Sequence, residues 1–201
     1  MSFERHFTDS IAFRSHFDEL FSIEDVGRKK LEATFRKTSN QAMQEPFFSL
    51  RQQLCSLATA YDLQSTSDPF TYQCLADSHV FLQACIEQKL VNQKYMTLTV
   101  GDVSFRGMRL FNTTRSIMRE VVAHGISTQD EPRFHVWLTL ADMTIIDFGI
   151  LTHLHKHALL PELPEAGQQV NFWRTQRKGE FDYHPVLVDD EFLSRLQRPL
   201  Q

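Results

Sequence analysis

From Ser10 to Leu20 the apolar residues Ile11, Phe13, Phe17 and Leu20, with Phe21 just beyond, return at roughly three to four positions, which predicts a helix with one buried face. A second helix is predicted from Ile23 towards Met43, where Glu45-Pro46 interrupts it. A third fits Phe47 to Leu63, with Leu50, Leu54, Leu57 and Tyr61 on one stripe. Ser65-Thr66-Ser67-Asp68-Pro69 then reads as a break with capping residues. It opens a fourth helix, from about Phe70 to Leu90, carrying Leu75, Leu82, Ile86 and Leu90 on one side.

Beyond Leu90 the period shortens. Tyr95 to Val100 alternates, Gly101-Asp102 is a turn signal and Val103 to Phe111 alternates again, which predicts a hairpin. Asn112 is placed to cap a short helix through Arg115–Val122 that ends near Gly125. Phe134 to Leu140 and Thr144 to Phe148 read as two strands around Ala141-Asp142-Met143, followed by a short His-rich helical piece. Val170–Arg174 and Tyr183–Val188 read as closing strands, and Asp189-Asp190-Glu191 as the start of a last helix. Helices followed by an antiparallel sheet predict an α+β fold. The break near Ser65 divides it into a helical segment over residues 1–66 and an α+β core over 67–201, packed as one unit.

Composition narrows the field. With 201 residues, 42% hydrophobic, and only 7 Gly and 7 Pro, the chain can bury a core, which excludes disordered, collagenous and repeat-built classes. A net charge of −4 gives no global field for phosphate polymers, so no nucleic-acid partner is expected. No window approaches the ~18 consecutive apolar residues of a membrane span, and Met1-Ser2-Phe3-Glu4-Arg5-His6 lacks the apolar stretch of a secretory leader. Cys55, Cys74 and Cys85 form an odd, sparse set without a CxxC, which suits a reducing compartment and predicts a cytoplasmic protein.

The chemistry-bearing positions start with Cys74, in the first turns of the predicted fourth helix. Unpaired N–H groups and the helix dipole there favour a thiolate. Farther on come His135, in Phe134-His135-Val136-Trp137, and Asp147, in Ile145-Ile146-Asp147-Phe148-Gly149. If the two strands join through a three-residue loop or a bulge, His135 and Asp147 share a face; a strict two-residue loop would separate them. A thiol, an imidazole to take its proton and a carboxylate to orient the imidazole constitute nucleophilic-triad logic. Each residue also has a plainer reading: a small buried hydrophobe, a core histidine, and an N-cap.

Tyr72-Gln73-Cys74-Leu75-Ala76-Asp77-Ser78 ahead of an amphipathic helix, then His135-Val136-Trp137, then Ile146-Asp147 at a strand end, resembles the transglutaminase-like branch of the papain-like cysteine peptidase superfamily. The resemblance covers about Phe70 to Gly149. It implies a helix led by the Cys and packed on an antiparallel sheet. It assigns Cys74 as nucleophile, His135 as general base and Asp147 as orienting acid. The chain departs from the family where Gln73 and Leu75 flank the Cys, and where Phe148-Gly149 follows the Asp in place of the common Pro.

Two function classes follow. The first is a thiol hydrolase or acyl transferase acting on a peptide, protein or small acyl substrate, with no cofactor and no metal. The second is an inactive scaffold of the same fold that binds a protein partner, or a second copy as a homodimer, through Phe13, Phe17, Phe21, Phe35, Phe47 and Phe48. A metal site at His153, His155 and His157 would need a strand, because residues two apart on a helix do not face each other. There is no GxxxxGK[ST], GxGxxG or HExxH.

Overall fold

Alternation in the second half of the chain builds one six-stranded antiparallel sheet, seen in a computed structural model that describes residues 3–20, 37, 45–62, 73–90, 95–126, 133–174 and 179–196. Its strands are β1 (Met96–Phe105), β2 (Met108–Arg109), β3 (His135–Leu140), β4 (Thr144–Asp147), β5 (Asn171–Arg174) and β6 (Phe181–Val188). β1 lies at the centre, with β6 along one edge and β3, β4 and β5 following in order on the other. The described helices are α1 (Phe3–Leu20), α2 (Glu45–Asp62), α3 (Gln73–Glu87), α4 (Arg115–His124), α5 (Ile150–Lys156) and α6 (Phe192–Leu196). The α+β expectation is met. The helix expected over Ile23–Met43 lies outside the described residues, apart from Lys37. No described helix is long and apolar enough to cross a membrane.

All ten residues of β1 are buried, because both faces of the sheet are covered. Met96, Leu98 and Val100 join Val136, Leu138, Leu140 and Ile146 in a core with Phe7 and Ile11 of α1, Leu54 of α2 and Leu75 and Leu82 of α3. Val103 and Phe105 join a second cluster with Trp137, Ile145 and Tyr183 and with Ile150 and Leu154 of α5. On α1 and α2 the rings of Phe7, Phe13 and Phe47 are buried in the first core, Phe3 packs against it and Phe48 is half-buried, while Phe21 and Phe35 lie outside the described residues.

The expected hairpin does not form at Gly101. Gly101-Asp102 is no turn: the predicted hairpin is a single continuous strand, with Gly101 paired to His135 on one edge and to Pro185 on the other. A bulge shifts the β6 register between Val100 and Gly101. A Cβ at Gly101 would lie 2.2 Å from the His184 carbonyl oxygen and 2.8 Å from the Trp137 ring. The glycine therefore serves close approach within the sheet, a role that leaves the same mark in a sequence as a turn glycine. The reversal occurs later, at Arg106 and Gly107, both left-handed with φ of 50° and 82°.

Smaller shifts concern the caps. The expected cap, Asn112, takes φ 54°, and Thr114 caps α4 instead, its hydroxyl oxygen accepting from the Ile117 N–H at 3.2 Å. Past β6, Asp189 is wholly buried and pairs with Arg14 at 3.6 Å and with the buried Arg195 of α6.

Candidate active site

The site forms where β3 begins, β4 ends and α3 starts. α3 buries Cys74, Leu75, Ser78, Phe81, Leu82 and Cys85, a stripe of helical spacing pressed against the sheet. Cys74 is the second described residue of this helix, in the first turn, where the dipole favours negative charge. Leu138 pairs with Ile146 and Thr139 with Ile145, leaving a three-residue turn, Ala141–Met143, in which Met143 takes φ 64°. That is the loop length that sets His135 and Asp147 on one side of the sheet.

They meet there. His135 Nε2 lies 2.9 and 2.8 Å from the two carboxylate oxygens of Asp147, with 2% of the His135 side chain and none of the Asp147 side chain exposed. Cys74 stands beside the same ring: a Cβ built on Gly149 would lie 2.6 Å from the Cys74 Cβ and 3.3 Å from His135 Cε1. With Nε2 taken by the carboxylate, Nδ1 is the nitrogen left for sulfur. Burial pulls the imidazole towards neutrality, but the Asp147 carboxylate, the Cys74 sulfur and the hydrogen bond to Asp147 outweigh it and push the pKa up from 6.5 to about 10. Cys74 itself keeps 9% of its surface exposed.

In comparisons with protein-family models, curated proteins and solved structures, nothing matches this chain.

Four residues that sequence reasoning passed over complete the site. Gly149 fills the gap between two elements: a Cβ there would lie 2.6 Å from the Cys74 Cβ and 3.3 Å from His135 Cε1. Tyr183 of β6 donates its hydroxyl to Asp147 Oδ2 at 2.9 Å, and Asn171 of β5 donates its amide to the Tyr183 oxygen at 2.9 Å. Phe111 stacks flat on the His135 ring, with centroids 5.0 Å apart and planes at 11°. Trp137, anticipated only as part of the motif, lies 6.2 Å from His135 on the other cluster's side and meets Tyr183 edge-on.

The N-cap of α5 is Gly149 and not Asp147, which instead supports the helix entry from two residues earlier. While holding His135, its Oδ1 also accepts the backbone N–H of Gly149 at 2.9 Å and of Ile150 at 3.0 Å, fixing the entry to α5. The turn is further held by a triangle of rings, Tyr61, Phe81 and Phe148, with centroids 5.2 to 5.7 Å apart.

The other cysteines differ in setting. Burial pushes the Cys85 thiol up to about 11. Burial also raises half-buried Cys55, opposed by Arg51 and reinforced by Asp142. The three histidines of α5 do not converge. His153 touches Phe111 and His157, each at 4.4 Å, while His155 points to solvent. Burial, then His135 and His157, drives His153 down to about 3, so it is neutral at any ordinary pH. Among the described residues no group of three or more metal-binding side chains forms.

Proposed function

We propose that this protein is a cysteine-nucleophile enzyme acting on an amide, peptide or acyl carbonyl, with Cys74, His135 and Asp147 as its triad, as in the transglutaminase-like enzymes its motif resembles. The single observation that carries the reading is the His135 ring hydrogen-bonded through Nε2 to a buried carboxylate, with a helix-start cysteine beside it across Gly149. Two elements far apart in sequence are brought together for that contact, and a glycine is required between them.

The chemistry follows from the contacts. The Cys74 thiol passes its proton to His135 Nδ1, and Asp147 stabilises the imidazolium through Nε2. The thiolate attacks the carbonyl carbon and the carbonyl π pair moves to oxygen, giving a tetrahedral oxyanion. Collapse of the intermediate expels the amine or other leaving group, which takes the proton from His135. The resulting acyl-thioester is then opened by water in a hydrolase or by a second nucleophile in a transferase, with His135 again as base.

The test is the pH dependence of alkylation at each cysteine in native protein, located by mass spectrometry. Cys74 is expected to react selectively at pH 6–7, well below the ~8.5 of a free thiol, and to lose that advantage in a His135→Ala variant. Cys74 reacting no faster than a free thiol in a folded sample would overturn the proposal.

A further inference from the structure

The carboxylate of Asp147 serves more partners than a triad acid needs. Its Oδ1 accepts two backbone N–H groups and its Oδ2 accepts the Tyr183 hydroxyl, while both oxygens lie against His135 Nε2. The two N–H contacts have a local structural purpose, because they start α5. The Tyr183 contact has none: it reaches from β6, which pairs with β1 and not with β4. The direction of its proton is also settled. Asn171 Nδ2 can only donate, so it occupies the Tyr183 oxygen as acceptor and leaves the hydroxyl hydrogen for Asp147. Buried beside a carboxylate, the phenol is pushed well above its usual range and stays protonated.

We infer that Tyr183, aimed by Asn171, is a positioning residue that sets the strength of the Asp147–His135 hydrogen bond. Its catalytic meaning rests on the thiol-enzyme reading, but the hydrogen-bond effect does not. Donors that share one carboxylate compete for its charge. Each additional one stabilises the anion and lowers its proton affinity. With Tyr183 in place, the shared proton belongs firmly to His135 Nε2, and Asp147 acts as a tempered acceptor. Without the hydroxyl, the carboxylate's charge is shared among fewer donors and the Asp147–His135 contact tightens.

The experiment is proton NMR of the His135 Nε2–H resonance in the full chain, recorded in a Cys74→Ala background so that thiol chemistry plays no part. Tyr183→Phe keeps the ring and removes only the hydroxyl. The resonance is expected to move downfield in that variant. Asn171→Ala, which removes the amide that polarises and aims the phenol, is expected to move it in the same direction by less. In the Cys74-containing protein, Tyr183→Phe is expected to move the alkaline limb of the Cys74 alkylation profile to higher pH. A merely structural tyrosine would lower thermal stability without moving the proton. A folded Tyr183→Phe protein whose resonance is unmoved or shifts upfield overturns the inference, and so does an unmoved resonance in Asn171→Ala if the phenylalanine variant fails to fold. An inert Cys74 with a downfield-shifted proton would remove the enzyme reading and leave Tyr183's effect on the pair standing.

Discussion

Gly149→Ala is the most informative single-methyl change in the molecule. Gly149 has φ −123° and ψ −19°, which alanine adopts without penalty, so any effect is steric. The new Cβ would stand 2.6 Å from the Cys74 Cβ and 3.4 Å from its Cα. Carbon atoms in contact prefer about 3.5–4.0 Å, so the elements must separate by roughly 1 Å. Neither neighbour can yield by rotating a side chain, because the clash is with the first side-chain atom on the α3 backbone. Overpacking of this kind costs about 1–3 kcal/mol of stability. The larger effect falls on Cys74. A misplacement of about 1 Å between reacting groups costs on the order of 100-fold in rate. Urea unfolding measures the first and the Cys74 alkylation rate near neutral pH the second. Alkylation is expected to fall far more than the lost stability accounts for. A Gly149→Ala protein with wild-type stability and a Cys74 rate within about twofold of wild type would refute the argument, since a shift of 1 Å could not pass unnoticed in both.

Two further outcomes follow. His135 has its folded pKa raised from 6.5 to about 10, so its stabilising contribution is complete below pH 6.5 and is lost as pH rises through 10. Urea midpoints of the wild type should therefore fall more between pH 6 and pH 10 than those of His135→Gln, and equal pH dependences would contradict the assignment. At the other end of the core, burial outweighs both arginines and raises Asp189, so its pairing with Arg195 adds little net stability, whereas removing one partner strands a buried charge. Asp189→Asn should cost about 3 kcal/mol, and the paired change Asp189→Leu with Arg195→Met should cost less than that in the same unfolding assay.

The thiol, imidazole and carboxylate were legible because each sits at a boundary that local pattern marks: a helix start, a strand following a polar loop, a strand end before a glycine. The loop between His135 and Asp147 was legible only as two alternatives, and the chain takes the three-residue form that joins them. Gly101 misled because turn formation and close strand packing demand the same missing side chain, and only the neighbours distinguish them. Tyr183 and Asn171 left no local mark. Each occupies an ordinary strand position, and its meaning depends on β6 pairing with β1 while β5 pairs with β4. In sequence Phe111 reads as the end of an alternating strand; in the fold it follows β2 and lies across the imidazole. What escapes a single sequence here is the side-chain partner that long-range strand order supplies.

The separation of Cys74 from Tyr183 along the chain also governs when the thiol acquires its surroundings. During synthesis Cys74 emerges long before His135, and α3 has no sheet to lie against until β1 and β3 exist. Asp147 then brings the turn that closes over the sulfur, but the last donor to its carboxylate arrives with β6, the final strand of the sheet. Domains collect such long-range pairings late. An unfinished or misfolded chain therefore carries an ordinary cysteine, and the complete arrangement around the sulfur belongs only to a chain whose sheet has closed.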